Sequence, residues 1–329
     1  MMPRRIPLTF ACGDYEIMRA LKDGAVEPEG IELTVLTDMG PSPRHWRFLR
    51  NREFDIAEVS GSGYVAARDQ GLPFRAIPVF PHRRFRHGFI FVNTGKGISK
   101  PSDLIGRTVG SKGYLFTAGL WMRGILEHDY GVPHRSIDWL SELDEDVDFT
   151  PPPDLKITQV PQDASLEDML VAGEIDALLS PDLIKPLLAG DPRVGRLFAD
   201  YKQEEIAFYR RTGIFPIMHV VGIKQEIVEK YPWVAVNMYK AFEEAKALAM
   251  KRMENPRIVP LAWYREEWEE QERILGKDPW EYGLGERNAR NFERLVAYSH
   301  EQGLIRRRIP LDELFLGVSE GRKRDEFRI

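Results

Sequence analysis

The chain has 329 residues, 43% of them hydrophobic and 29% charged, with a formal net charge of −5. That composition fits one large or two medium globular domains and excludes a low-complexity or fibrous protein. A mildly acidic balance supplies no general attraction for nucleic acid or an acidic membrane, so a basic site has to be assembled locally.

Cys12 is the one cysteine, which rules out an intramolecular disulfide; at the end of an apolar run it reads as a buried thiol. The opening residues, MMPRRIPLTFACGDY, contain two arginines but no apolar stretch long enough for an export signal or a membrane span. A cytoplasmic location is therefore expected.

From the N-terminus, residues 8–13 read as a buried strand and 15–21 as a short helix closed by Lys22-Asp23-Gly24. Residues 31–36 alternate apolar and polar side chains with period two, a strand signature. A helix over 43–50, a strand over 54–59, a helix over 64–70 and a strand from Ile77 follow. This β-α-β rhythm predicts a mostly parallel sheet with helices on both faces. Ligands of such sheets sit beyond the carboxyl ends of the strands. Here those ends carry Gly13-Asp14-Tyr15, Ser60-Gly61-Ser62 and the segment from His82 to His87.

That last segment has an uncommon composition for a turn. Two apolar runs, 77–80 and 88–92, flank Arg83, Arg84 and Arg86 with His82 and His87. Guanidinium forks match carboxylates, and imidazoles exchange protons near neutral pH, so the loop suits an anion. The competing reading is a set of solvated or salt-bridged cations.

A second α/β unit follows. A strand over 106–111 enters a helix over 116–129 that Gly131 terminates, and its first amides, near Ser111 to Thr117, form either an anion site or an ordinary helix start. Residues 142–153 are acidic and then proline-rich, an exposed loop. Strands over 157–160, 175–179 and 194–198 and a helix over 166–172 complete the unit. Residues 208–219 lead into a strand over 220–223, a long helix opens at Pro232, and 263–299 is charged and helical. The expected layout is a larger discontinuous lobe, 1–93 plus 205–329, and a smaller inserted lobe, 94–204, with a ligand cleft between them.

Gly13-Asp14-Tyr15, Phe54-Asp55-Ile56-Ala57-Glu58, Ile77-Pro78-Val79-Phe80-Pro81 with Phe85-Arg86-His87, and the run RRTGIFPIMH ending at His219 carry a resemblance, as does YKAFEEAK from Tyr239. Together they resemble the 4,5-dihydroxyphthalate decarboxylase family over nearly the full chain. The resemblance implies an α/β, two-lobed, type 2 periplasmic-binding-protein-like fold with extra C-terminal helices. It also implies a cofactor-independent carboxy-lyase of aromatic (phthalate) catabolism that protonates the ring carbon of a hydroxylated aromatic acid and releases CO₂. The rival readings are a solute-binding or sensory protein for an aromatic acid, and another lyase on the same scaffold.

Under the decarboxylase reading, Arg86 with Arg83 or Arg211 is expected to grip carboxylate oxygens, the fork favouring bidentate contact. His87 or His219 is expected to donate the proton, and Asp14 to accept a phenolic proton or orient a histidine. Ser60, Ser111, Tyr114 and Thr117 are expected to place the ring, with Tyr15 and Arg210 as further substrate contacts. Plainer roles compete: Asp14 as a helix cap, His219 as a core histidine, Arg210 and Arg211 in salt bridges. His45, His128, His134 and His300 read as surface residues. His82, His87 and Asp14 are metal-capable, but no HxxxH or HExxH spacing occurs and no metal or other cofactor is expected, a divalent ion being left open. The expected partner is a small aromatic acid, with no nucleic acid or membrane; homo-oligomerisation is left open.

Overall fold

The computed structural model describes residues 5–318. In chain order the strands are β1 (Ile6–Ala11), β2 (Ile31–Leu36), β3 (Ile56–Ser60), β4 (Phe74–Ile77), β5 (Ile90–Asn93), β6 (Thr108–Ser111), β7 (Asp138–Ser141), β8 (Ile157–Gln159), β9 (Ala177–Leu179), β10 (Val194–Arg196) and β11 (His219–Lys224). Two compact units form, one from 5–83, 219–293 and 309–318, the other from 84–218 and 294–308.

The first unit holds a five-stranded sheet in the order β2-β1-β3-β11-β4. β1 pairs parallel with β2 and β3, whereas β11 runs antiparallel to both β3 and β4, with His219 opposite Ser60. The sheet is thus mixed, where the β-α-β rhythm predicts mostly parallel pairing, because a strand from much later in the chain enters against the direction of its neighbours. Pro78, which lacks an N–H to continue the ladder, follows directly on β4. The Trp233–Met253 helix lays Met238, Phe242 and Ala245 into the core, and Phe242 meets Phe10 of β1 edge to face at 5.2 Å. Full burial of such a ring contributes about 1.5–3 kcal/mol. β3 is buried along its whole length, so the acid it carries, Glu58, needs partners.

The second unit holds a six-stranded sheet in the order β10-β5-β9-β6-β7-β8. β7 pairs parallel with β6 and β8, and β6 pairs parallel with β9 as well; β5 runs antiparallel to β9 and β10. The strand expected after Gly88 is β5, and its Ile90 lies opposite Leu179 in this sheet. The chain accordingly passes to the second unit after Arg83, returns after Met218 and enters the second unit again over 294–308, where a single insertion over 94–204 was expected. The Tyr201–Thr212 helix lies within the second unit, ahead of the return at Met218. Phe91, Leu166, Leu170, Ile175 and Leu178 build a core on this sheet. The Thr117–Tyr130 helix ends where Gly131 takes φ 66°, its amide reaching the Glu127 and Leu126 carbonyls.

Candidate active site

In the first unit, the ends of β1 and β3 and the start of β11 bring together a buried polar network. Its centre is Glu58, which is 0% exposed. Oε2 of Glu58 meets Nη2 of Arg44 at 2.7 Å and accepts the Gly13 amide at 2.7 Å. Oε1 accepts the Tyr15 hydroxyl at 2.8 Å and Nδ1 of His219 at 2.5 Å. Each element places its member for a local reason. The Pro41–Leu49 helix presents Arg44, whose Nε also donates to the Glu58 carbonyl at 3.3 Å. Gly13 lets the Tyr15 ring fold back, since a Cβ there would come within 2.5 Å of the ring. His219 opens β11, and its amide donates to the His82 carbonyl at 3.3 Å.

Burial alone would raise the Glu58 carboxyl, but the charge and hydrogen bond of His219, the Arg44 guanidinium and the Gly13 amide outweigh it and hold the acid well below the usual carboxylate range. Glu58 is therefore an ionised, acceptor-only group, and Nδ1 of His219 has to carry the hydrogen between them. Two further imidazoles pack edge-on against the His219 ring, His82 at 4.8 Å and His45 at 4.9 Å, and Tyr15 stacks on His82 at 6.1 Å. Burial, followed by the charges of His219 and Arg44, keeps His45 neutral, and burial with the charge of Glu58 raises the Tyr15 phenol. His219 retains 9% exposure where Glu58 and Arg44 have none.

Of the residues singled out from the sequence, Tyr15, Ser60 and His219 lie in or beside this network. Ser60 caps the Gly61–Asp69 helix, accepting the Gly63 amide at 3.4 Å. Asp14 points to solvent and pairs with Lys22 at 3.0 Å. Arg83 is buried in the same unit, donating to Asn288 Oδ1 at 2.5 Å and to the Glu281 carbonyl at 3.0 Å; burial pushes its guanidinium down to about 10.

The other residues belong to the second unit. Arg86, 2% exposed, donates to the Pro181 carbonyl at 2.7 Å and turns Nε to the Met218 sulfur at 3.1 Å; burial and then Arg84 push it down to about 9. His87 is buried among Tyr130, Phe198 and Phe208, and neither ring nitrogen has a hydrogen-bond partner among the described residues. Burial, then Arg211, pushes it down to about 4, which leaves a neutral ring near pH 7. Arg210 is exposed, and Arg211 pairs with Asp129 at 2.8 Å. Ser111 donates to the Gly113 carbonyl at 2.7 Å, Tyr114 packs against Trp139 and Phe149, and Thr117 opens its helix. His45 and His134, expected at the surface, are buried at 5% and 3% exposure; helix and strand packing covers them. Among the described residues no group of three or more His, Cys, Asp or Glu side chains is arranged to hold a metal.

Sequence reasoning passed over Glu58, Arg44 and His45. The available signal was the acid itself: Glu58 stands between Ala57 and Val59 in a strand otherwise apolar from Ile56, and a charge so placed calls for a cation.

Two α/β units, each a mixed sheet flanked by helices, define a type 2 periplasmic-binding-protein-like fold. The periplasmic aliphatic sulphonate binding protein of Escherichia coli shares it, with a TM-score of 0.58 at 14% identity over 98% of this chain and 96% of that one. The chain belongs to the 4,5-dihydroxyphthalate decarboxylase family. It is 34% identical over 320 residues to the 4,5-dihydroxyphthalate decarboxylase of Comamonas testosteroni, covering 94% of this chain and 96% of that one. It is also 32% identical over 214 residues to the enzyme of the same name from Pseudomonas putida, covering 63% and 82%. No family model matches. The expectation of a cytoplasmic location is withdrawn, because solved structures of this fold include periplasmic proteins. No helix among the described residues is long and apolar enough to cross a membrane.

Proposed function

We propose that the chain is a carboxy-lyase that releases CO₂ from a hydroxylated aromatic carboxylic acid, with His219 as the proton donor. The observation that carries the assignment is the pairing of His219 Nδ1 with the ionised, fully buried Glu58. A carboxylate at 2.5 Å fixes the ring and its tautomer, so that Nε2 can hand over a proton and recover it. Family membership supplies the reaction class, since both curated relatives are named for decarboxylation of 4,5-dihydroxyphthalate.

The chemistry balances without an external electron carrier. The proton from Nε2 adds to the ring carbon that bears the departing carboxylate, and a ring hydroxyl para to that carbon gives up its proton to water, which also reprotonates Nε2, as its oxygen becomes ketone-like. The bond to the carboxylate then breaks, its electron pair restores the aromatic ring, and CO₂ leaves. The oxygen takes back a proton. Tyr15, anchored on Glu58 and stacked against His82, holds the wall of the network in place. The neutral ring of His87 is the poorer donor.

The test is CO₂ release from a panel of hydroxylated phthalates and benzoates by the wild type and by His219→Gln. Turnover that falls about 10²–10⁴-fold in the variant supports the assignment. Tight binding across the panel with no CO₂ from the wild type makes the chain a binding protein instead.

A further inference from the structure

The loop over 142–153, between β7 and β8, carries an acid that is not left to solvent. The Glu145 carboxylate lies against the turn that precedes the Thr117–Tyr130 helix. Its Oε1 accepts the Tyr114 amide at 2.5 Å and its Oε2 the Leu115 amide at 3.0 Å. Two successive amides that take both oxygens of one carboxylate make a fork fit for any carboxylate, and the positive end of the helix behind them favours an anion. Gly113 permits the approach, since a Cβ there would stand 3.2 Å from Oε2. Four residues beyond Glu145, the Phe149 ring stacks on Tyr114 with centroids 5.6 Å apart and planes 9° apart. A carboxylate on the Tyr114 amide and a benzene ring on the Tyr114 side chain are the two halves of an aromatic carboxylic acid.

A separate observation points to a ligand. Arg123 is 1% exposed, its guanidinium carbon 3.8 Å from the Tyr114 ring centroid and its Nη2 2.6 Å from the Tyr114 carbonyl. Its Nη1 lies against Gly119 in the first turn of the helix and has no hydrogen-bond partner among the described residues, and neither has the Tyr114 hydroxyl. Buried donors left unbonded cost free energy, so they mark a place suited to oxygen atoms that the loop does not bring.

We propose that this corner of the second unit is an aromatic-carboxylate site, and that Glu145 and Phe149 fill it as an internal substitute which a free aromatic acid displaces. It rests on the reading that the substrate is an aromatic carboxylic acid. The occupied form excludes the ligand, so apparent affinity scales with the vacant fraction and the loop sets how tightly an acid is held. Burial raises the Glu145 carboxyl despite its two amide bonds.

Calorimetric titration of the full chain with phthalate, which lacks the hydroxyl that turnover needs, tests the proposal. Glu145→Gln keeps the side-chain shape but removes the charge; it should bind phthalate about tenfold more tightly than wild type. Asp144→Asn, at a neighbouring exposed acid, should change affinity by less than about twofold. Phthalate should also speed amide hydrogen exchange over 142–153 in the wild type. Equal or weaker binding by Glu145→Gln, an equal gain in Asp144→Asn, or unchanged exchange at saturating phthalate overturns the proposal and leaves Glu145 as a brace for the helix entry. None of these readouts involves CO₂, so failure here is distinct from failure of the decarboxylase assignment.

Discussion

Nδ1 of His219 and Oε1 of Glu58 stand 2.5 Å apart although 161 residues separate them in sequence. The register of β11 on β3, with His219 opposite Ser60 and Val221 opposite Glu58, sets this distance. Glu58 cannot leave, because Arg44, Gly13 and Tyr15 hold its two oxygens from other sides.

Replacing Glu58 by Gln keeps the shape and removes the charge that pairs with the His219 ring. The expected outcome is a fall in kcat of about 10²-fold with KM changed by less than about threefold, since Glu58 acts through His219. The pH–rate profile should shift along with kcat. A variant that loses only KM would assign Glu58 to substrate binding instead.

Arg44→Met removes one partner of a buried ion pair and strands the other. Urea unfolding of the variant should show a loss of about 3–5 kcal/mol. The double variant Arg44→Met/Glu58→Gln should recover part of that loss, because no unpaired charge then remains buried. Additive losses would show that the pair contributes through packing alone.

His87 binds its proton less tightly in the folded chain than in the unfolded one, at about 4 against an ordinary 6.5. The unfolded state therefore holds more protons between those values, so stability is full above 6.5 and declines as pH falls toward 4. The decline from this group is on the order of 3 kcal/mol. His87→Phe, which suits the surrounding Tyr130, Phe198 and Phe208, should flatten that part of the pH–stability curve measured by denaturant unfolding.

A Cβ at Gly124 would come within 2.2 Å of the Tyr298 ring. Gly124→Ala should cost about 1–3 kcal/mol by overpacking, even though alanine favours a helix. Combining it with Tyr298→Leu should return part of the stability, as read by thermal unfolding.

Much of the fold was legible because it is written in local periodicity: residues 31–36 alternate, and the run after Phe116 keeps an apolar face until Gly131. The assignment of β5 was not legible. A four-residue apolar strand is equally at home in either sheet, and only its pairing with Leu179 and Val194 decides where Arg86 and His87 are carried. Glu58 was hidden for the opposite reason. In FDIAEV an acid two places after Ile56 looks like the polar half of an alternating strand, and its cation, Arg44, lies fourteen residues earlier on a helix. His45 and His134 were misjudged because a lone histidine among polar neighbours carries no mark of which way its backbone faces.

The order in which β11 enters its sheet has a consequence for synthesis. Among the described residues β4 pairs with the rest of the five-stranded sheet through β11 alone, so a ribosome that has released only about the first hundred residues has made an edge strand whose sheet partner is still to come. Closure of that sheet waits for His219–Lys224 to emerge, long after the loop-closure entropy has grown large. A nascent chain stalled before that point should be a ready client for chaperones and proteases, and truncations ending upstream of residue 219 should fail to give a soluble N-terminal fragment.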